Sequence, residues 1–250
     1  LAPAAGKVVG HHTTCQGEIQ MSGLGGTPVY ATGSSHTPSG TRIVMPHNSG
    51  VSITQVCSST WNPYKFMPFP LLGQTLSFKV DLSKVSCGCN LAVYFVLEPA
   101  KHTNGTSSEG NCDYSPYYCD ANQVGGQWCP EIDLMEANNG AFQSTPHKCD
   151  PPVGNHHYTN CDRSGCAQNT NRWGNAYGVG PGHTIDSSRP FVVSTTFEAE
   201  GATLVGFRTI LLQEGRQVWL AHDNCNRGYL QQLSAPLAEG MSLIFSYWGG

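Results

Sequence analysis

The chain has 250 residues, of which 39% are hydrophobic, enough for one large β domain with a sizeable core. Its net charge of −4 comes from 13 Lys and Arg against 17 Asp and Glu spread along the sequence, and no basic run could neutralise a line of phosphates, so nucleic acid is not an expected partner. The longest apolar run, LAVYFVL at 91–97, falls well short of the roughly 20 residues that cross a bilayer, so a soluble protein without membrane contact is expected.

With 29 Gly and 16 Pro, turns outnumber helix-forming stretches and the composition favours β structure. Neither a repeat nor a linker divides the sequence, so residues 1–250 read as a single domain. The first six residues, LAPAAG, lack a charged start and an apolar core, so the expectation is that any signal peptide has already been removed. Eleven cysteines exceed what a reducing compartment normally maintains, and paired CxxC metal motifs are absent, which predicts disulfides and a secreted, extracellular protein. Because eleven is odd, at least one cysteine lacks a partner within the sequence.

In LSFKVDL (76–82), Leu76, Phe78, Val80 and Leu82 alternate with polar residues, the period of a half-buried strand. CNLAVYFVL (89–97) places Leu91, Val93, Phe95 and Leu97 on one face, so Asn90 and Tyr94 share the other. The polar stretch after it carries NGT at 104–106, which makes Asn104 a candidate glycosylation site. Further strands are predicted at 191–200, 204–212, 218–222 and 241–248. In the last of these Trp248 is in register with Ser242 and Ser246, either as a stacking platform or as an ordinary half-buried side chain. A single short helix, limited by Pro236, is predicted within 228–240. The long irregular segments 99–128 and 139–189 hold five of the eleven cysteines and read as functional loops pinned by crosslinks.

In a chain only 12% charged, CPEIDLMEAN (129–138) crowds Glu131, Asp133 and Glu136 into six positions. On a straight strand Glu131 and Asp133 share a face and Glu136 takes the opposite one, among Ile132 and Leu134. A one-residue β-bulge between Asp133 and Glu136 would bring all three acids to one side and turn Ile132 and Leu134 inward; such a bulge is predicted. Crowded carboxylates repel, so their pKa values separate, and a retaining glycosidase needs that division between a nucleophile and an acid/base. By themselves the acids fit equally an exposed strand edge or a calcium site.

This motif, followed by STPHKC at 144–149, resembles the active-site signature of glycoside hydrolase family 7, secreted fungal cellobiohydrolases and endoglucanases that cleave β-1,4-glucan with retention. The similarity extends in family order through 71–96, 160–175, 178–198 and 240–250, and weakens over 1–70. It implies an all-β jelly-roll sandwich of two curved antiparallel sheets, with substrate across the concave face. It also implies Glu131 as nucleophile, Glu136 as acid/base, Asp133 as the residue positioning the nucleophile, and His147 beside the leaving group. Asn90, Tyr94, Asp113, Arg172 and Trp248 match substrate-binding positions.

The resemblance further implies the disulfides Cys149–Cys161, Cys166–Cys225 and Cys112–Cys129, and a bond from Cys87 to a cysteine beyond this sequence. Cys15–Cys57 and Cys89–Cys119 are assigned by elimination. Met135 and Trp128 depart from the family's tryptophan and cysteine, and the shortened loop before the motif implies an open cleft acting within chains. The sequence stops before the family's closing loops and last strand, so a C-terminal segment is expected either to be missing or to be replaced by another closure.

The resulting expectation is a secreted, monomeric retaining β-1,4-glucanase that acts on β-glucan and needs no cofactor or metal; the histidine pairs at 11–12 and 156–157 lack zinc-site spacing. The alternatives are a glucanase or transglycosylase for mixed-linkage or β-1,3-glucan, a lectin-like module that could lose either glutamate, and a polysaccharide lyase, which needs a base and a cation beside a uronic acid.

Overall fold

A computed structural model describes residues 14–250 apart from Ser35, Cys87, Asp113 and Tyr114, and leaves out the side chains of Thr14 and Gln16. The expectations for His11, His12, Cys87 and Asp113 therefore lie outside the described residues. In chain order the elements are β1 (Thr14–Ile19), β2 (Val29–Gly33), β3 (Thr37–Ser39), β4 (Arg42–Val44), β5 (Ser49–Thr54), β6 (Thr75–Val80), β7 (Cys89–Val96), β8 (Glu131–Ala137) and β9 (Phe142–His147). They continue with β10 (Gln168–Asn169), β11 (Tyr177–Gly178), β12 (Ile185–Asp186), β13 (Phe191–Glu200), β14 (Thr203–Gln213), β15 (Arg216–Leu220), α1 (Arg227–Gln231), α2 (Ser234–Glu239) and β16 (Ser242–Gly249).

Two antiparallel sheets form the expected jelly-roll sandwich. The larger has eight strands in the order β1-β2-β5-β16-β7-β8-β9-β10, and the smaller has four in the order β15-β14-β13-β6. β13 alternates buried and half-buried residues along FVVSTTFE, as β-branched and aromatic side chains do on a strand with one face in a core. Its neighbour β14 returns after Gly201, whose φ of +59° suits the tight reversal. Between the sheets Phe142, Phe191 and Tyr177 meet edge-on or tilted, with ring centroids 5.7–6.3 Å apart, and Phe197 packs on Phe207.

A second buried cluster lies on the opposite face of the larger sheet. There Ala92, Tyr94 and Val96 of β7 and Ile244 of β16 are covered by Ala100, Tyr118, Cys119, Ala121 and Tyr158 from the long connections. The predicted face division of β7 is observed, with Val93 and Phe95 in the main core, but the other face is not wet at Tyr94, which is only 5% exposed.

Four disulfides occur among the described residues. Cys15–Cys57, Cys149–Cys161 and Cys166–Cys225 agree with expectation, whereas Cys129 pairs with Cys119 rather than Cys112. Register explains the difference. Val96, at the end of β7, lies opposite Glu131, so Cys129 enters β8 at the end of β7 farthest from Cys89. There the Cys119 sulfur lies beside the carbonyl of Leu97, beyond the reach of Cys89 some seven residues, or about 23 Å, back along the strand. Cys112 instead packs against the Gly125 turn. The single predicted helix is two, because Pro236 fits the first turn of α2 but cannot continue α1.

Candidate active site: carboxylates on the outer face of the larger sheet

Leu134 is the extra residue that gathers the acids. On β9 Asp133 lies opposite Thr145 and Glu136 opposite Gln143, and on β7 the register also slips by one between Asp133 and Met135. Ile132, Leu134 and Met135 are fully buried in the main core, so the predicted bulge turns Glu131, Asp133 and Glu136 to the outer face.

Each acid meets a different neighbour. Glu131 Oε2 accepts a 3.0 Å hydrogen bond from the Ala121 backbone N–H. Asp133 Oδ2 lies 2.9 Å from His147 Nε2, whose Nδ1 lies 2.8 Å from the Asp162 carbonyl. Both ring nitrogens thus face acceptors, which calls for a doubly protonated imidazolium. Burial opposes that charge, but the hydrogen bond and charge of Asp133, with the charge of Glu131, hold the imidazole at about 10. Glu136 Oε1 accepts from Asn90 Nδ2 at 3.1 Å and Oε2 from Gln143 Nε2 at 3.5 Å.

Burial, followed by repulsion from Asp133, raises Glu131 well above the ordinary carboxylate range and Glu136 to about 7. Glu131 is 6% and Asp133 5% exposed, while Glu136 is the more accessible. The nearest ligand atoms of Glu131, Asp133 and His147 lie within 4.8 Å of one another, a spacing a cation could bridge. Three ligands fall short of the six to eight oxygens of calcium, and the hydrogen-bonded pair uses a proton at that place.

Gly165 supports this pair. Its φ is +61°, and an added Cβ would stand 2.3 Å from Thr145 Cγ2 and 2.7 Å from His147 Nδ1.

Of the other sequence-predicted residues, Trp248 is 42% exposed and directly opposite Asn90 on the outer sheet face. Arg172 is exposed in the turn after β10, whose Asn169 bonds Gln143. Tyr94 shares their strand face but lies beneath the covering segment, its hydroxyl 3.0 Å from that of Tyr118. Asn104 is exposed in a turn of the same segment.

Sequence reading missed Asp120. Its Oδ1 accepts from the N–H groups of Asn122 and Val124, both at 2.9 Å, and burial first, then the charge of Asp133, raises it to about 6 against those hydrogen bonds. The clue was Cys119: had its bond to Cys129 been assigned, the next residue would have fallen beside Glu131.

The chain matches the family described as Glycosyl hydrolase family 7 over residues 13–125 and 121–227. It is 30% identical over 213 residues to a probable endo-beta-1,4-glucanase of Neosartorya fischeri, covering 71% of this chain and 52% of that protein. Endoglucanase EG-1 of Hypocrea jecorina is 30% identical over 214 residues, covering 74% and 44%. Among solved structures, the endocellulase EGI of Humicola insolens matches with a TM-score of 0.66 at 21% identity, covering 86% of this chain and 66% of that one. A family 7 cellobiohydrolase from Daphnia pulex matches with a TM-score of 0.65 at 20% identity, covering 86% and 67%. These likenesses confirm the jelly-roll fold, and the sequence matches place the chain in glycosyl hydrolase family 7. It spans about half the length of the curated relatives it matches.

Proposed function

We propose that the protein is a secreted retaining glycoside hydrolase that cleaves internal β-1,4-glucosidic bonds of cellulose or related β-glucans. The observation that carries this reading is the bulge at Leu134, which sets Glu131, Asp133 and Glu136 on one face beside an imidazolium. The relatives named endoglucanases support β-1,4-glucan as substrate.

In this reading the Glu131 carboxylate attacks the anomeric carbon while Glu136 gives its proton to the departing glycosidic oxygen, leaving a covalent glycosyl ester. Glu136 then takes a proton from water, the water oxygen attacks the same carbon, and Glu131 is released. The Ala121 N–H and the nearby His147 cation favour charge on Glu131, and Asp133 neutralises and orients that cation. Because Glu131 is 6% exposed, the segment carrying Ala121 must part to admit a sugar. Trp248 offers a face on which a glucose ring stacks. Four disulfides and the exposed Asn104 sequon support secretion and glycosylation.

The covered nucleophile is also what a glucan-binding protein without turnover would have. The test is to incubate the protein and its Glu131→Gln variant with cellohexaose, mixed-linkage glucan and laminarin, following product masses and anomeric configuration by NMR. β-Configured cello-oligosaccharides from the parent alone are the expected result. Binding without cleavage would assign the face to a lectin-like module, and products from laminarin alone would move the linkage to β-1,3.

A further inference from the structure

Glu136 stands in a row of side chains that the sheet register lines up across three further strands. Ala92 of β7 lies opposite it on one side and Gln143 of β9 on the other, and Asn169 of β10 lies opposite Gln143. Ala92 is too short to reach a carboxylate, so the contact from β7 comes from Asn90, two residues along the same face.

The amides in this row have a direction. Asn169 Nδ2 donates to Gln143 Oε1 at 3.2 Å, which commits the oxygen end of that side chain to β10 and turns its NH2 toward Glu136. Gln143 Nε2 then reaches Glu136 Oε2 at 3.5 Å, and Asn90 Nδ2 reaches Oε1. We infer that Gln143 is a positioning residue for the catalytic acid/base, the middle member of an Asn169–Gln143–Glu136 relay that holds the carboxyl between two amide donors. This rests on the catalytic reading of Glu136.

A carboxyl that must give a proton in one step and take one in the next needs its two forms closely balanced. Burial favours the neutral form, as does the charge of Asp133 on the same strand. His147 from β9 and the two amide donors favour the charged form. β7 and β10 contribute the uncharged Asn90 and Asn169 to this row, so Gln143 is an adjustable weight that can be removed without altering charge. At 3.5 Å its bond is long; it shortens when Glu136 is ionised and slackens when the carboxyl holds the proton.

The experiment compares the intact chain with Gln143→Leu, close in shape but without donors, on cellohexaose and on 2,4-dinitrophenyl cellobioside, whose leaving group needs no proton. The expected result is an alkaline limb of kcat/KM moved about half a unit to a unit higher in pH, because the lost donor had favoured the charged form. A fall of about tenfold on cellohexaose is expected, with the aryl glycoside within about twofold. Asn169→Ser, which removes the residue that turns the Gln143 amide, should move the limb in the same direction and serves if the leucine variant does not fold. An unmoved limb with equal losses on both substrates would make Gln143 a structural residue only and overturn the inference while leaving the catalytic reading intact. If the parent chain cleaves neither substrate, both readings fall.

Discussion

His147 donates through Nε2 to Asp133 Oδ2 across 2.9 Å, with both side chains almost sealed from water. Removing the imidazole leaves a buried carboxylate without its counter-charge, so His147→Ala should cost about 3–5 kcal/mol of stability, more than an exposed pair would. The pH dependence has a definite sign. The imidazole's pKa is raised from 6.5 to about 10 in the fold, so its contribution is complete below 6.5 and is lost as pH rises toward 10. Thermal melts between those limits should therefore fall more steeply for the parent than for His147→Ala.

Gly165 supplies a more selective way to disturb the same pair. A methyl group there meets Thr145 and the His147 ring at contacts too short to tolerate, on backbone already in the left-handed region. Gly165→Ala should destabilise by about 1–3 kcal/mol and displace the imidazole. The His147 NMR titration would move down toward an ordinary histidine; a stable variant with an unchanged titration would show that the ring does not depend on the bare glycine.

Asp120 offers a test of electrostatics inside the covered site. Its charge is one of the forces raising Glu131, after burial and Asp133. Asp120→Asn retains an acceptor oxygen for the Asn122 and Val124 N–H groups while removing the charge. The acidic limb of kcat/KM, where the proposed nucleophile Glu131 must lose its proton, should move to lower pH. Asp120→Ala should additionally lose about 1–2 kcal/mol from the unsatisfied turn.

Glu98 lies apart from the Glu131, Asp133 and Glu136 cluster and predicts a stability effect. Its two oxygens are buried without a hydrogen-bond partner, and burial pushes the carboxyl to about 8, tempered by the nearby Ser52 and Ser242 hydroxyls. Between 4.5 and 8 the folded state holds a proton that the unfolded chain has released, so stability falls as pH rises through that window. Glu98→Gln should flatten this slope and raise Tm at pH 8 while changing little at pH 4; a parallel shift at both would point to packing instead.

The regular parts of the fold were legible because a strand writes its two faces into alternate residues. The stretch FVVSTTFE did so for β13, and the parity of Glu131, Asp133 and Glu136 exposed the bulge, since the only other arrangement buried Glu136 in the core. The covering segment was not legible. Burial of Tyr94 depends on Tyr118 and Ala121 arriving from an irregular loop without periodicity, and the partner of Cys129 depends on where that loop lands. Asp120 and Gln143 were missed for related reasons: one belongs to the loop, and the other gains its neighbours only once β8, β9 and β10 are in register.

The place of β16 has a consequence for assembly. This strand, encoded in residues 242–249, inserts between β5 and β7 in the middle of the larger sheet, pairing with residues 49–52 on one side and 89–96 on the other. During synthesis the N-terminal strands wait with open edges until it arrives, and both ladders close contacts between distant parts of the sequence, a topology that folds slowly. The interval leaves β5 and β7 as sticky templates, so interrupted translation would yield aggregates and not a smaller folded domain.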